Sequence, residues 1–69
     1  MDKTNALAGR EIIIEFIPVG AYMRVTAVDV ATMTEVYIQG PKTAAEGVLK
    51  ANAIKRLEYV LKKNGVVKN

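Results

Sequence analysis

A chain of 69 residues and 7.5 kDa holds one small domain, which excludes a second domain, a repeat array and the large folds that hold nucleotides for catalysis. With 51% hydrophobic and 25% charged residues it is too apolar to stay disordered, yet it has no apolar run long enough to cross a bilayer. Cysteine and histidine are both absent, which removes disulfides, thiolate nucleophiles, imidazole acid–base chemistry and the usual zinc and haem ligands together.

The formal charge of +3 conceals a division along the chain. Residues 1–41 carry three bases against five acids, net −2, whereas residues 42–69 carry seven bases against Glu46 and Glu58, net +5. Residues 1–9 read as a flexible N-terminal tail. Asp2 and the lack of an apolar core argue against a targeting peptide, so a cytoplasmic location is expected.

From Arg10 to Gln39 apolar residues alternate, and the branched and aromatic types that favour strands dominate. Three strands are expected: 10–17, 22–29 and 34–39. The break at Pro18-Val19-Gly20-Ala21 and the one at Val30-Ala31-Thr32-Met33 are short enough only for antiparallel hairpins. A four-residue first loop pairs Ile17 with Tyr22, Phe16 with Met23, Ile14 with Val25 and Ile12 with Ala27. The second loop pairs Asp29 with Thr34, Ala27 with Val36 and Val25 with Ile38. Both hairpins then share one buried face of Ile12, Ile14, Phe16, Met23, Val25, Ala27, Val36 and Ile38. Asp29, beside a turn, is expected to accept from the amides of its loop.

After Gly40-Pro41 the period changes to that of a helix, expected from about Ala44 to Lys63. Thr43-Ala44-Ala45-Glu46 has the spacing of a capping box. Lys62-Lys63-Asn64-Gly65 offers cations to the negative pole of the helix and then a glycine able to take the left-handed cap conformation. At about 100° per residue, Leu49, Ala53, Ile54, Leu57, Val60 and Leu61 fall within an arc of roughly 140°, enough to cover one sheet face. The expected fold is α+β, a three-stranded antiparallel meander packed on one C-terminal helix (βββα), filling residues 10–64 as a single domain with 65–69 as a C-terminal tail.

Several segments placed this way, Gly9-Arg10-Glu11, the run from Glu15 to Asp29, Thr34-Glu35-Val36 and Leu57-Glu58-Tyr59-Val60-Leu61, resemble a small uncharacterised family of alphaproteobacterial proteins, a domain of unknown function. Similar sequences often have glycine where Met33 stands, and a left-handed residue is expected there. The resemblance implies no established activity and no site to carry over.

Three surfaces are candidates for function. Glu11, Glu15 and Glu35 fall on the sheet face away from the helix, but with Glu15 opposite Arg24, and Glu11 and Glu35 flanking Val28, they read as solubilising charges. No loop gathers carboxylates as a calcium or magnesium site requires. A non-enzymatic chain is therefore expected, with no catalytic residue, metal, cofactor or small-molecule substrate. The same face carries Ile13, Ile17, Tyr22, Arg24, Val28 and Tyr37, with Ile13 and Tyr37 flanking Thr26. A single helix covers one face only, so this surface is the leading candidate for a protein partner or a homodimer contact, which Val48 and Tyr59 could extend. The alternative is weak, sequence-independent nucleic-acid binding through Lys55, Arg56, Tyr59, Lys62 and Lys63 on the solvent side of the helix. No membrane partner is expected.

Overall fold

In the computed structural model, which describes residues 7–68, three antiparallel strands are followed by one helix: β1 (Ile12–Val19), β2 (Tyr22–Asp29), β3 (Thr34–Pro41) and α1 (Glu46–Lys63). The sheet order is β1-β2-β3, so the expected βββα meander is the fold. Residues 1–6, most of the expected N-terminal tail, lie outside the described residues. No described helix is long and apolar enough to cross a membrane.

The second hairpin has the expected register, with Asp29 opposite Thr34 and Ala27 opposite Val36. The first does not. Its loop is only Gly20-Ala21, and Phe16 lies opposite Val25, Ile14 opposite Ala27 and Ile12 opposite Asp29. The reason is turn chemistry. Gly20 adopts a positive φ of 59°, which lets a two-residue turn of the II′ kind close the strands directly. Pro18 and Val19 are thereby strand rather than loop. The slip relative to the expected pairing is an even number of residues, so every side chain keeps its face. At the second loop Met33 takes the left-handed conformation, φ 58°.

Val25, Ala27 and Val36 from the sheet pack against Leu49, Ala53, Leu57 and Leu61 from α1. Leu7 joins them at 7% exposure, its carbonyl accepting from the Arg10 amide. The helix packs on β3 and β2 and leaves β1 largely uncovered. Ile12, Ile14 and Phe16 on β1, although they face the helix side, are consequently only half-buried at the margin of this core.

The two helix ends differ in how they are closed. The capping box does not form: Ala45 is the N-cap with no side-chain cap bond, and Glu46 is already the first helical residue. A tight turn in which the Ala44 amide donates to the Pro41 carbonyl takes up Thr43 and Ala44. Leu49 of α1 packs closely on β3, where a Cβ on Gly40 would lie 2.6 Å from its Cδ2. At the C-terminus Gly65 (φ 77°) donates to the Lys62 carbonyl and Val66 to the Leu61 carbonyl, the paired bonds of a glycine-terminated helix.

Candidate interaction surface

The pairing puts four rows on the outer sheet face: Val19-Tyr22-Pro41, Ile17-Arg24-Gln39, Glu15-Thr26-Tyr37 and Ile13-Val28-Glu35. The shift in the first hairpin changes three expected neighbours. Ile17, not Glu15, lies opposite Arg24; Glu15, not Ile13, flanks Thr26 with Tyr37; and Ile13, not Glu11, flanks Val28 with Glu35. Glu11 precedes β1, and its carbonyl accepts from the Val30 amide.

At the centre, the Arg24 guanidinium lies over the Tyr37 ring, 4.7 Å from its centroid, within the range of a cation–π contact. Thr26 is thereby buried to 5% exposure even though its strand neighbours Val25 and Ala27 point to the opposite face. Arg24 Nε and Thr26 Oγ1 are buried without a hydrogen-bond partner among the described residues. Around this stack Ile13, Ile17, Val19, Tyr22 and Tyr37 are exposed, from 38% to 57%, while Val28 is half-buried. Val19 is a member that the sequence reading assigned to the loop. The fold thus brings the six expected residues to one face, with large apolar groups distributed around a single stacked cation.

The basic candidates are arranged differently. Lys55, Arg56, Tyr59 and Lys63 are exposed on α1, whereas Lys62 is half-buried and its Nζ lies 3.1 Å from Glu58 Oε2, one turn back on the helix. Arg56 and Val60 line an open groove with Glu35, Val36 and Tyr37 of β3. The basic face and the outer sheet face therefore meet along the β3 edge. Among the described residues no group of three or more Asp or Glu is placed to hold a metal ion.

One charged site lies at the end of the core. Asp29, fully buried, accepts from Arg10 Nε at 2.9 Å and from Arg10 Nη2 at 3.0 Å, and also takes the Thr32 hydroxyl (2.6 Å) and amide (3.2 Å). The loop-capping role expected for Asp29 is present, and the Arg10 fork is added to it. The hydrogen bonds from Arg10, opposed by burial and assisted by Thr32, hold the carboxyl down at about 2. Asp29 in turn raises the Arg10 pKa through its hydrogen bond. This is a fastener: it ties the segment before β1 to the β2–β3 loop, with the anion's oxygens engaged by donors.

Residues 9–64 match the family described as a domain of unknown function (DUF6898), and the chain belongs to that family. No curated protein and no solved structure matches the chain.

Proposed function

We propose that this member of the DUF6898 family is a non-enzymatic protein-association module of the bacterial cytoplasm, alphaproteobacterial in origin, that makes contact through the outer face of its sheet. The observation supporting this is the exposure of Ile13, Ile17, Val19, Tyr22 and Tyr37 together on a flat surface that the one helix leaves uncovered. Grouped apolar and aromatic side chains around an arginine have the composition of protein interfaces. The face also carries Glu15 and Glu35, which would repel phosphates.

A second reading, weak nucleic-acid binding through α1, draws on the exposure of Lys55, Arg56, Tyr59 and Lys63 on one side of the helix. Capture from cell extract with the tagged full chain separates the two. For association through the sheet, Tyr22→Glu with Tyr37→Glu removes the captured protein, whereas Lys55→Glu with Arg56→Glu does not, and retention survives high salt and nuclease. Retention lost to salt, to nuclease and to the helix substitutions would overturn the proposal in favour of nucleic acid.

A further inference from the structure

Among the described residues β1 is an edge strand, with no strand paired on one of its sides. In an antiparallel pair, residues alternate between pointing both backbone groups at the neighbour and pointing both away. The Val30 amide donates to the Glu11 carbonyl, so Glu11, and with it Ile13, Glu15 and Ile17, faces β2. Ile12, Ile14 and Phe16 direct their amides and carbonyls outward. Pro18 shares that parity, which is why a proline fits here: its missing amide would have pointed away from the sheet.

Both faces of this strand are apolar, Ile-Ile-Ile-Glu-Phe-Ile-Pro-Val, with Glu15 its one charge. On the outer face Ile13 and Ile17 are exposed, and on the inner face Ile12, Ile14 and Phe16 are only half-buried because α1 sits over β2 and β3. The β3 edge is different. It lies under the helix, and its outward-directed residues are Glu35, Tyr37, Gln39 and Pro41, of which the charge, the amide and the proline blunt the edge. Among the described residues β1 has the pairing groups and the apolar surface but little to block a partner.

We propose that β1 pairs antiparallel with β1 of a second copy of this chain, in the register that sets Ile14 opposite its own copy. Paired residues in such a ladder share a face, so a two-fold axis must bring one residue against itself. Centring on Glu15 opposes like charges, and centring on Ile13 sets Glu11 against Glu15 of the other copy. Centring on Phe16 pairs Ile14 with Pro18, which has no amide to give, and centring on Ile12 leaves most of β1 unpaired. The Ile14 register has none of these faults: Ile12 meets Phe16, Ile13 meets Glu15, and the outward groups of Ile12, Ile14 and Phe16 form about six backbone hydrogen bonds across the axis.

The paired assembly doubles the three-stranded sheet and keeps both helices on one side. Ile12, Ile14 and Phe16 of each copy become a continuous apolar floor between the helices. The proposal goes beyond the outer-face reading by placing a separate contact, with a second copy, at the β1 edge. It leaves the middle of the outer face, Arg24 and Tyr37, open for other protein.

The test is sedimentation of the full chain from micromolar to near-millimolar concentration with opposite charges placed at one exposed position. Each Ile13 lies against Glu15 of the other copy, a contact made twice per dimer. Ile13→Glu therefore weakens dimerisation by about tenfold and Ile13→Lys preserves or tightens it, while Ile13→Glu combined with Glu15→Lys restores it. Tyr37→Glu, away from β1, leaves the dimer intact. Circular dichroism confirms that each variant is folded, which the exposure of position 13 favours. A wild-type chain monomeric throughout the range overturns the edge pairing but not capture of another protein at Tyr22 and Tyr37. A dimer indifferent to the charge at position 13 and broken by Tyr37→Glu overturns the edge and moves the contact to the outer face.

Discussion

Leu57→Ala and Ile14→Ala delete the same number of carbon atoms from two residues on the core side, so the difference between them reads the position of α1 over the sheet. Leu57 is wholly inaccessible and lies among other fully buried groups. At about 0.8 kcal/mol for each deleted carbon group, the transfer loss is roughly 2.4 kcal/mol, and a cavity that the neighbours cannot fill raises it to about 3–4 kcal/mol. Ile14 is half-buried on the strand that α1 does not cover. Its removal opens no closed cavity, and in the monomer it costs about 1–2 kcal/mol. For a chain of this length, whose total stability is between about 3 and 10 kcal/mol, the first change is close to unfolding and the second is not. Urea denaturation at low protein concentration, compared by midpoints at constant slope, measures both. An Ile14→Ala loss equal to or greater than that of Leu57→Ala would refute the placement of the helix over β2 and β3.

Thr43→Ala should change stability by less than about 0.5 kcal/mol, since α1 begins without a side-chain cap; a loss of about 1 kcal/mol in the same denaturation assay would show that threonine caps the helix after all. Met33→Gly should stabilise by about 1 kcal/mol, because the left-handed conformation at φ 58° is strained for methionine and free for glycine, and thermal melting checks the direction. The Asp29 carboxyl, held at about 2 instead of 3.8, contributes stability in full above the unfolded value and loses it as the pH falls through the folded one. Acid titration followed by circular dichroism should show that limb in the wild type, and Asp29→Asn should destabilise the fold and remove it; an unchanged acid limb in the variant would assign it to other carboxylates.

The strands were legible because alternation and strand-favouring residues coincide from Ile12 to Ile38, and the buried and outer faces follow from parity alone. Parity also explains what failed. A slip by an even number of residues leaves every side chain on its face, and Ile14 and Phe16 meet apolar partners in either register, Val25 and Met23 in the one expected and Ala27 and Val25 in the one observed. Only the turn distinguishes them, through the positive φ of Gly20, and the tolerance of an edge strand for Pro18 completes the argument. The fork from Arg10 to Asp29 had a signal too: both residues share the parity of the core face, where an unpaired charge is untenable. Leu7 had none, since it lies outside any periodic run. The helical stripe shows which side of α1 is buried but not which strands it covers, so the partial exposure of β1 needed the three-dimensional structure. The capping spacing at Thr43 was outweighed by the turn after Pro41. The membership of Ile13, Ile17, Tyr22, Arg24, Val28 and Tyr37 in one surface was legible, whereas their neighbours across the first hairpin were not.

The claim that the chain associates with itself through the β1 edge rather than through the helix is tested most directly by amide hydrogen exchange on the wild-type chain at low and high concentration. Ile13, Glu15 and Ile17 face β2 and are protected at both. The account predicts that the amides of Ile12, Ile14 and Phe16 exchange freely in dilute solution and become protected as concentration rises, while the exposed flank of α1 at Lys55, Arg56 and Tyr59 is unchanged. Protection at Ile12, Ile14 and Phe16 that does not depend on concentration, or a concentration-dependent gain confined to the helix, would contradict it.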